Sequence, residues 1–365
     1  MKKYDDDILK QIFCIDSNYQ LSEEQIMQVN KAVSKNFKEA RTASKESFCY
    51  LCKKTCDGFC NSHSIPQFSL VNIAENGKVA DPLQGEHPSS KDDIGLKKAG
   101  TFHIICDNCD NTMFSDYETP SAYSAPPNNR MLAQIALKNY LQMVSKRRIE
   151  SNLYDILERD YDNFESVSSG GSTLEEDDLR EYELKLQYAV KTLKENLSNR
   201  YHLCYYKVLD YVVPYATQTA LCLITDLEDR LVNNPYLSLA EYRMEYLQVA
   251  VFPLEHTTVI LLFVESGVKR YRNFIRQLNR LNEEDQLSAI NYMIFSYTEN
   301  VFLNVNTHKT TKANPSFMEV CRKISQANCP YPSFDPIDAA MQAFSFSRRK
   351  SFPNLLNRKF ALAKD

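Results

Sequence analysis

The chain has 365 residues, enough for two domains of ordinary size with a substantial core. Hydrophobic residues make up 43% and charged residues 25%, the composition of globular proteins rather than of membrane-spanning or disordered chains. The 43 Lys+Arg against 47 Asp+Glu leave a net charge of -4, so attraction to nucleic acid or lipid has to come from a local patch. The 8 glycines form neither GxGxxG nor GxxxxGK[ST], which leaves a nucleotide-phosphate cradle without support.

The start, MKKYDDDILKQIF, turns acidic too early for a secretory signal, and the longest apolar run, TTVILLFV, is far short of a bilayer span. The expectation is a cytoplasmic protein with reduced thiols and no membrane partner. Residues 22–41 read as a helix, with Ser22 as N-cap and Ile26, Val29, Val33 and Phe37 forming an apolar stripe. A cysteine-bearing region follows at 48–118, interrupted by a polar loop at 75–98. Residues 129–157 carry Leu132, Ile135, Ala136, Tyr140 and Val144 at helical spacing. SSGGS at 168–172 reads as a linker, and an acidic first turn then opens a helix running to about 198.

Beyond it, 201–213, 217–227, 245–254 and 257–265 are short and rich in Tyr, Val, Thr, Leu and Ile, which predicts strands. Only Glu255 and His256 separate the last two, so they form a hairpin. Helices are predicted at 268–281, 284–302 and 315–326, His308 falls in a polar surface loop, and the tail from 345 reads as loosely held. The fold class is α+β. The boundaries read as 1–160 and 173–365, the second part an α+β recognition or partner domain with a small antiparallel sheet.

Chemistry concentrates in the cysteines. Cys49-x-x-Cys52 and Cys106-x-x-Cys109 each supply two adjacent corners of a tetrahedral zinc site, and in a reduced protein such paired thiols indicate metal rather than disulfide. Cys56 and Cys60 extend the first knuckle, which leaves open whether one of them joins the site. The second knuckle follows a short apolar segment and precedes a helix predicted at 111–117, a treble-clef order of elements.

Between the knuckles lies Asn61-Ser62-His63-Ser64-Ile65-Pro66. With Cys49, Cys52 and Ile105-Cys106-x-x-Cys109-Asp110, this block resembles the HNH (His-Me finger) nucleases in their four-cysteine zinc form, of the bacterial CxLC…SHIIP…CxxC type. The resemblance covers about residues 48–118. It implies a zinc-bound treble-clef (ββα-metal-like) module with flanking helices, structural Zn, and a catalytic Mg or Mn ion. It further implies cleavage of phosphodiester bonds, with DNA as substrate and a role in bacterial defence against foreign DNA. His63 matches the general base and Asp110 the ion-holding position at the helix start. Ser62 stands where the family has Asp or His, and Thr101 falls near its middle Asn. The alternative expectation is a catalytically inactive zinc module that binds nucleic acid or protein.

One further feature is the segment VKRYRNFIRQLNRL at 268–281. It sets Lys269, Arg272, Arg276 and Arg280 beside an apolar stripe and could lie along a phosphate backbone. Lys146, Arg147 and Arg148 form a second, smaller basic cluster.

Overall fold

Three strands that bury both faces build the centre of this molecule, two of them mainly apolar runs and one with Thr217, Gln218 and Thr219 at its middle. The computed structural model describes residues 23–56, 58–82, 93–160, 171–237, 241–326 and 336–363. Every residue of β6 (Tyr215–Leu221), β7 (Leu247–Pro253) and β8 (Thr258–Glu265) is buried. Their alternation divides two cores. Val249, Val251, Ile260, Leu262 and Val264 enter one cluster, while Ala250, Phe252, Val259, Leu261 and Phe263 enter the other. The β7–β8 hairpin turns at Glu255-His256, with the Leu254 amide donating to the Thr257 carbonyl at 2.8 Å.

The sheet is antiparallel, as expected, but has seven strands in the order β3-β2-β9-β6-β7-β8-β5. Its small members are β2 (Lys78–Ala80), β3 (Asp93–Gly95) and β9 (Val301–Leu303); β5 (Tyr201–Leu209) forms the far edge. Ala80 of β2 pairs with Leu303 of β9, so residues 1–160 and 173–365 share one sheet. The polar segment at 75–98, expected as loop throughout, supplies β2 and β3; residues 83–92 lie outside the described set. The expected linker lies largely outside it too, and the helix after it begins at Gly171.

Helices cover both faces. On one lie α4 (Asn129–Asp160) and α5 (Gly171–Lys194), with α1 (Glu23–Ala43) packed on α4. On the other lie α6 (Arg272–Arg280), α7 (Glu283–Tyr297) and α9 (Pro315–Gln326). The helix expected at 284–302 ends at Tyr297, and its last residues form β9 instead. His308 is not on a surface loop: it sits in α8 (Val305–Lys312) and is buried. Among the described residues no helix is long and apolar enough to cross a membrane.

The tail is not loosely held. Phe346, Phe352, Leu355 and Leu356 are buried in the first core cluster. The Phe346 ring lies 5.9 Å from that of Phe274 and 5.7 Å from that of Tyr292. Aromatic residues two to six apart in an apparently polar tail have no helix or strand period, so their burial leaves no pattern to read. Phe346→Ala should cost about 3–5 kcal/mol in equilibrium denaturation. A loss below about 1 kcal/mol would mean that the tail docks without stabilising the core.

Candidate metal centre and the adjoining lysine site

Two turns bring four thiols together. The Cys49 amide donates to the Lys54 carbonyl and the Lys53 amide to the Cys49 carbonyl, both at 2.8 Å, with Lys53 in the left-handed region at φ 58°. This knuckle is closed by the Phe48–Thr55 bridge and tied to the second by Tyr50 N–H to Ile104 C=O at 2.8 Å. Cys106 is the N-cap of α3 (Asp107–Met113) and Cys109 lies in its first turn. That helix starts four residues earlier than expected, so the second knuckle belongs to it.

The four sulfurs of Cys49, Cys52, Cys106 and Cys109 lie within 4.8 Å of one another, with Cys52 and Cys106 4.0 Å apart. Tetrahedral coordination at about 2.3 Å per sulfur requires edges of about 3.8 Å, so this donor set fits a soft metal ion such as zinc. Cys56 and Cys60 are outside the group; the Cys60 thiol donates to the Ile105 carbonyl at 3.3 Å. Burial pushes the Cys60 thiol up to about 12, with the charge of Asp110 adding to it. Burial also acts on Cys49, yet the amides of Cys52, Cys106 and Leu51 outweigh it and bring that thiol down to about 7. A depressed pKa favours the thiolate that a metal needs.

Next to this cluster, β1 (Ser62–His63) pairs antiparallel with β4 (Thr101–Phe102), His63 opposite Thr101. The pair precedes α3, giving a strand–strand–helix unit. Gly100 closes the β4 end at φ +61°, where a Cβ would stand 2.6 Å from Ser64 Oγ and 3.0 Å from the Phe302 ring. Only glycine fits that approach.

Consecutive strand residues face opposite sides, and Ser62 and His63 accordingly meet different partners. Ser62 is buried and donates its hydroxyl to Asp110 Oδ1 at 2.6 Å. The His63 side chain has a different environment: its Nε2 donates to the Leu96 carbonyl at 2.9 Å, leaving Nδ1 as the acceptor. Thr101 Oγ1 donates back to the Lys98 carbonyl at 3.4 Å. His103 is exposed and hydrogen-bonded to Asn61.

What Asp110 meets is a lysine that the sequence reading passed over. Lys138 of α4 is fully buried. Its ammonium donates to Asp110 Oδ1 at 2.8 Å and Ser62 Oγ at 3.0 Å, and pairs with Glu118 Oε1 at 3.0 Å. The Phe114 ring lies 3.8 Å from the ammonium. A buried ammonium is tolerable only when paired and hydrogen-bonded, and here three oxygens and one ring meet it. Burial raises the Glu118 carboxyl above its usual range, an effect that Lys138 opposes. The signal was available in MLAQIALKNYL, apolar on nearly every side: a lysine inside a helix buried all round has to find its counter-charges within the protein.

The basic residues divide. In the smaller cluster Lys146 pairs with Glu299, Arg147 with Asp178 and Arg148 with Glu46. In the larger, Arg272, Arg276 and Arg280 lie exposed along α6. Lys269 does not join them, because α6 begins three residues after it.

No protein-family profile, curated protein or solved structure matches the chain.

Two outcomes test this geometry. Reduced protein should carry one equivalent of a soft metal by elemental analysis, and Cys109→Ser should lose it and destabilise the module; retention of a full equivalent would remove the cluster from the metal site. Lys138→Met should cost roughly 2–3 kcal/mol, somewhat below the about 3–5 for a wholly buried pair because the two carboxylates keep partial exposure. A neutral substitution would show that Asp110 and Glu118 do not depend on the ammonium.

Proposed function

We propose that this chain is a binding protein organised by a structural zinc ion, built on a treble-clef finger of the HNH nuclease kind in which cleavage chemistry is silent. The observation that carries the reading is Lys138. In the resemblance, the position of Asp110 holds a divalent ion; here its Oδ1 accepts from the Lys138 ammonium and the Ser62 hydroxyl. An ammonium with two carboxylates and a hydroxyl around it supplies the local charge balance that the ion would supply. Two further features support the same reading. Ser62 is a neutral ligand where the family has a charged or imidazole one, and Thr101 opposite His63 offers no amide side chain. A general base needs its substrate-facing nitrogen within reach of the water it activates, beside the ion that holds the phosphate.

Zinc suits the four-thiolate set by softness and geometry, and its binding energy is folding energy for so small a unit. The HNH-type endonuclease reading, with DNA as substrate and phage defence as setting, rests on the SHSIP and CxxC resemblance. The test is a plasmid-nicking assay on zinc-loaded protein with Mg²⁺ or Mn²⁺, with and without chelator. Wild type and His63→Ala should both leave supercoiled plasmid intact. Metal-dependent nicking by wild type that falls by about two orders of magnitude in His63→Ala would restore the nuclease reading.

A further inference from the structure

The exposed arginines of α6 border an open groove of about 770 Å³ on the sheet face away from the metal centre. Its other wall is the sheet margin, with His202 and Cys204 of β5 and Val264 of β8. The inner side of α6 is fixed to the core by Phe274 and Leu278, and Tyr271 just before it is anchored by its hydroxyl to the Leu221 and Glu245 carbonyls. The outer side carries Arg272, Arg276 and Arg280, one helical turn apart, a spacing of about 6 Å per step along the backbone.

Two features distinguish this row from an ordinary solvated helix face. Among the described residues no carboxylate pairs with any of the three arginines, whereas the cluster at 146–148 is ion-paired throughout. The one acidic residue lining the groove, Glu265, is buried and already paired with Lys185 at 2.8 Å. The groove is thus a cationic track in a protein of net charge -4. Its far wall presents an exposed imidazole, His202, at the sheet margin, since β5 pairs with β8 alone.

We propose that this groove binds a single-stranded polynucleotide, its phosphates lying along Arg272, Arg276 and Arg280 and one base stacking on His202. A row of arginines about 6 Å apart along a helix matches successive phosphates, and an imidazole face gives a sequence-tolerant platform for a base. The proposal names the partner left open by the binding-protein reading above and rests on it only to that extent. The two fail separately, because metal content and plasmid cleavage report the finger and strand binding reports the groove.

The test is fluorescence anisotropy of full-length protein with labelled dT15 and U15 over a range of salt. Binding of either oligomer is expected, the pair showing whether the sugar is read. The logarithm of affinity should fall with that of salt at a slope of about -2 for three contacts. Arg276→Ala should reduce that slope by about 0.7, and the triple change of Arg272, Arg276 and Arg280 to Glu should abolish measurable binding. His202→Ala should weaken binding roughly 5- to 100-fold with the salt slope unchanged. Lys191→Glu with Lys194→Glu on α5, at the other face of the sheet, should change neither. All substituted residues are exposed, so the variants should fold, which circular dichroism checks. No binding to either oligomer at low salt would overturn the proposal. So would an unaltered slope in the triple variant, or equal competition by polyglutamate of matched charge.

Discussion

A buried ammonium joins the four-cysteine module to the rest of the molecule. Lys138 stands in the middle of α4, the helix that packs across the sheet, and reaches Asp110 on α3, Ser62 on β1 and Glu118 beyond α3. Removing its charge leaves two carboxylates close together in a low-dielectric setting; removing them leaves a lysine without counter-charge. Either change is expensive, so finger, helix and sheet are held in one arrangement. The neighbouring residues extend the same network, Asn139 donating to Gln248 on β7 and Gln248 to Tyr140 at 2.8 Å each. On the other flank, Tyr50 of the first knuckle is hydrogen-bonded to Glu183 of α5. The cysteine turns are thus tied to the helices across the sheet by the ammonium, by Tyr50 and by the Glu46–Arg148 pair.

That arrangement also divides the short strand β1 between two surroundings. A two-residue strand can present one side chain to each side, and β1 gives Ser62 to the lysine site and His63 to the Leu96 carbonyl. The thiol cluster needs neither of them.

Much of this was readable in the sequence where one physical rule dominates. The paired CxxC spacing identified the four clustered thiols, and the structure leaves Cys56 and Cys60 out. Alternation and the two-residue turn located the β7–β8 hairpin, and the apolar spacing from Asn129 located α4. The misses share a cause: they depend on distant partners. β2 and β3 lie in a polar segment and exist because β9 completes the sheet beside them. Phe346 and Phe352 have no local period and are buried because α7 offers aromatic neighbours. Lys138 was hidden for the opposite reason, since its helix was so apolar that one charge within it went unremarked.

The central claim is that an internal ammonium holds the position a catalytic ion would need. Manganese binding to zinc-loaded wild type and to Asp110→Asn, followed by electron paramagnetic resonance of free Mn²⁺, tests it most directly. The account predicts no stoichiometric Mn²⁺ site in wild type and the same titration for Asp110→Asn. One Mn²⁺ bound per wild-type chain and lost in Asp110→Asn would contradict it, because Asp110 would then hold an ion as well as accept from Lys138.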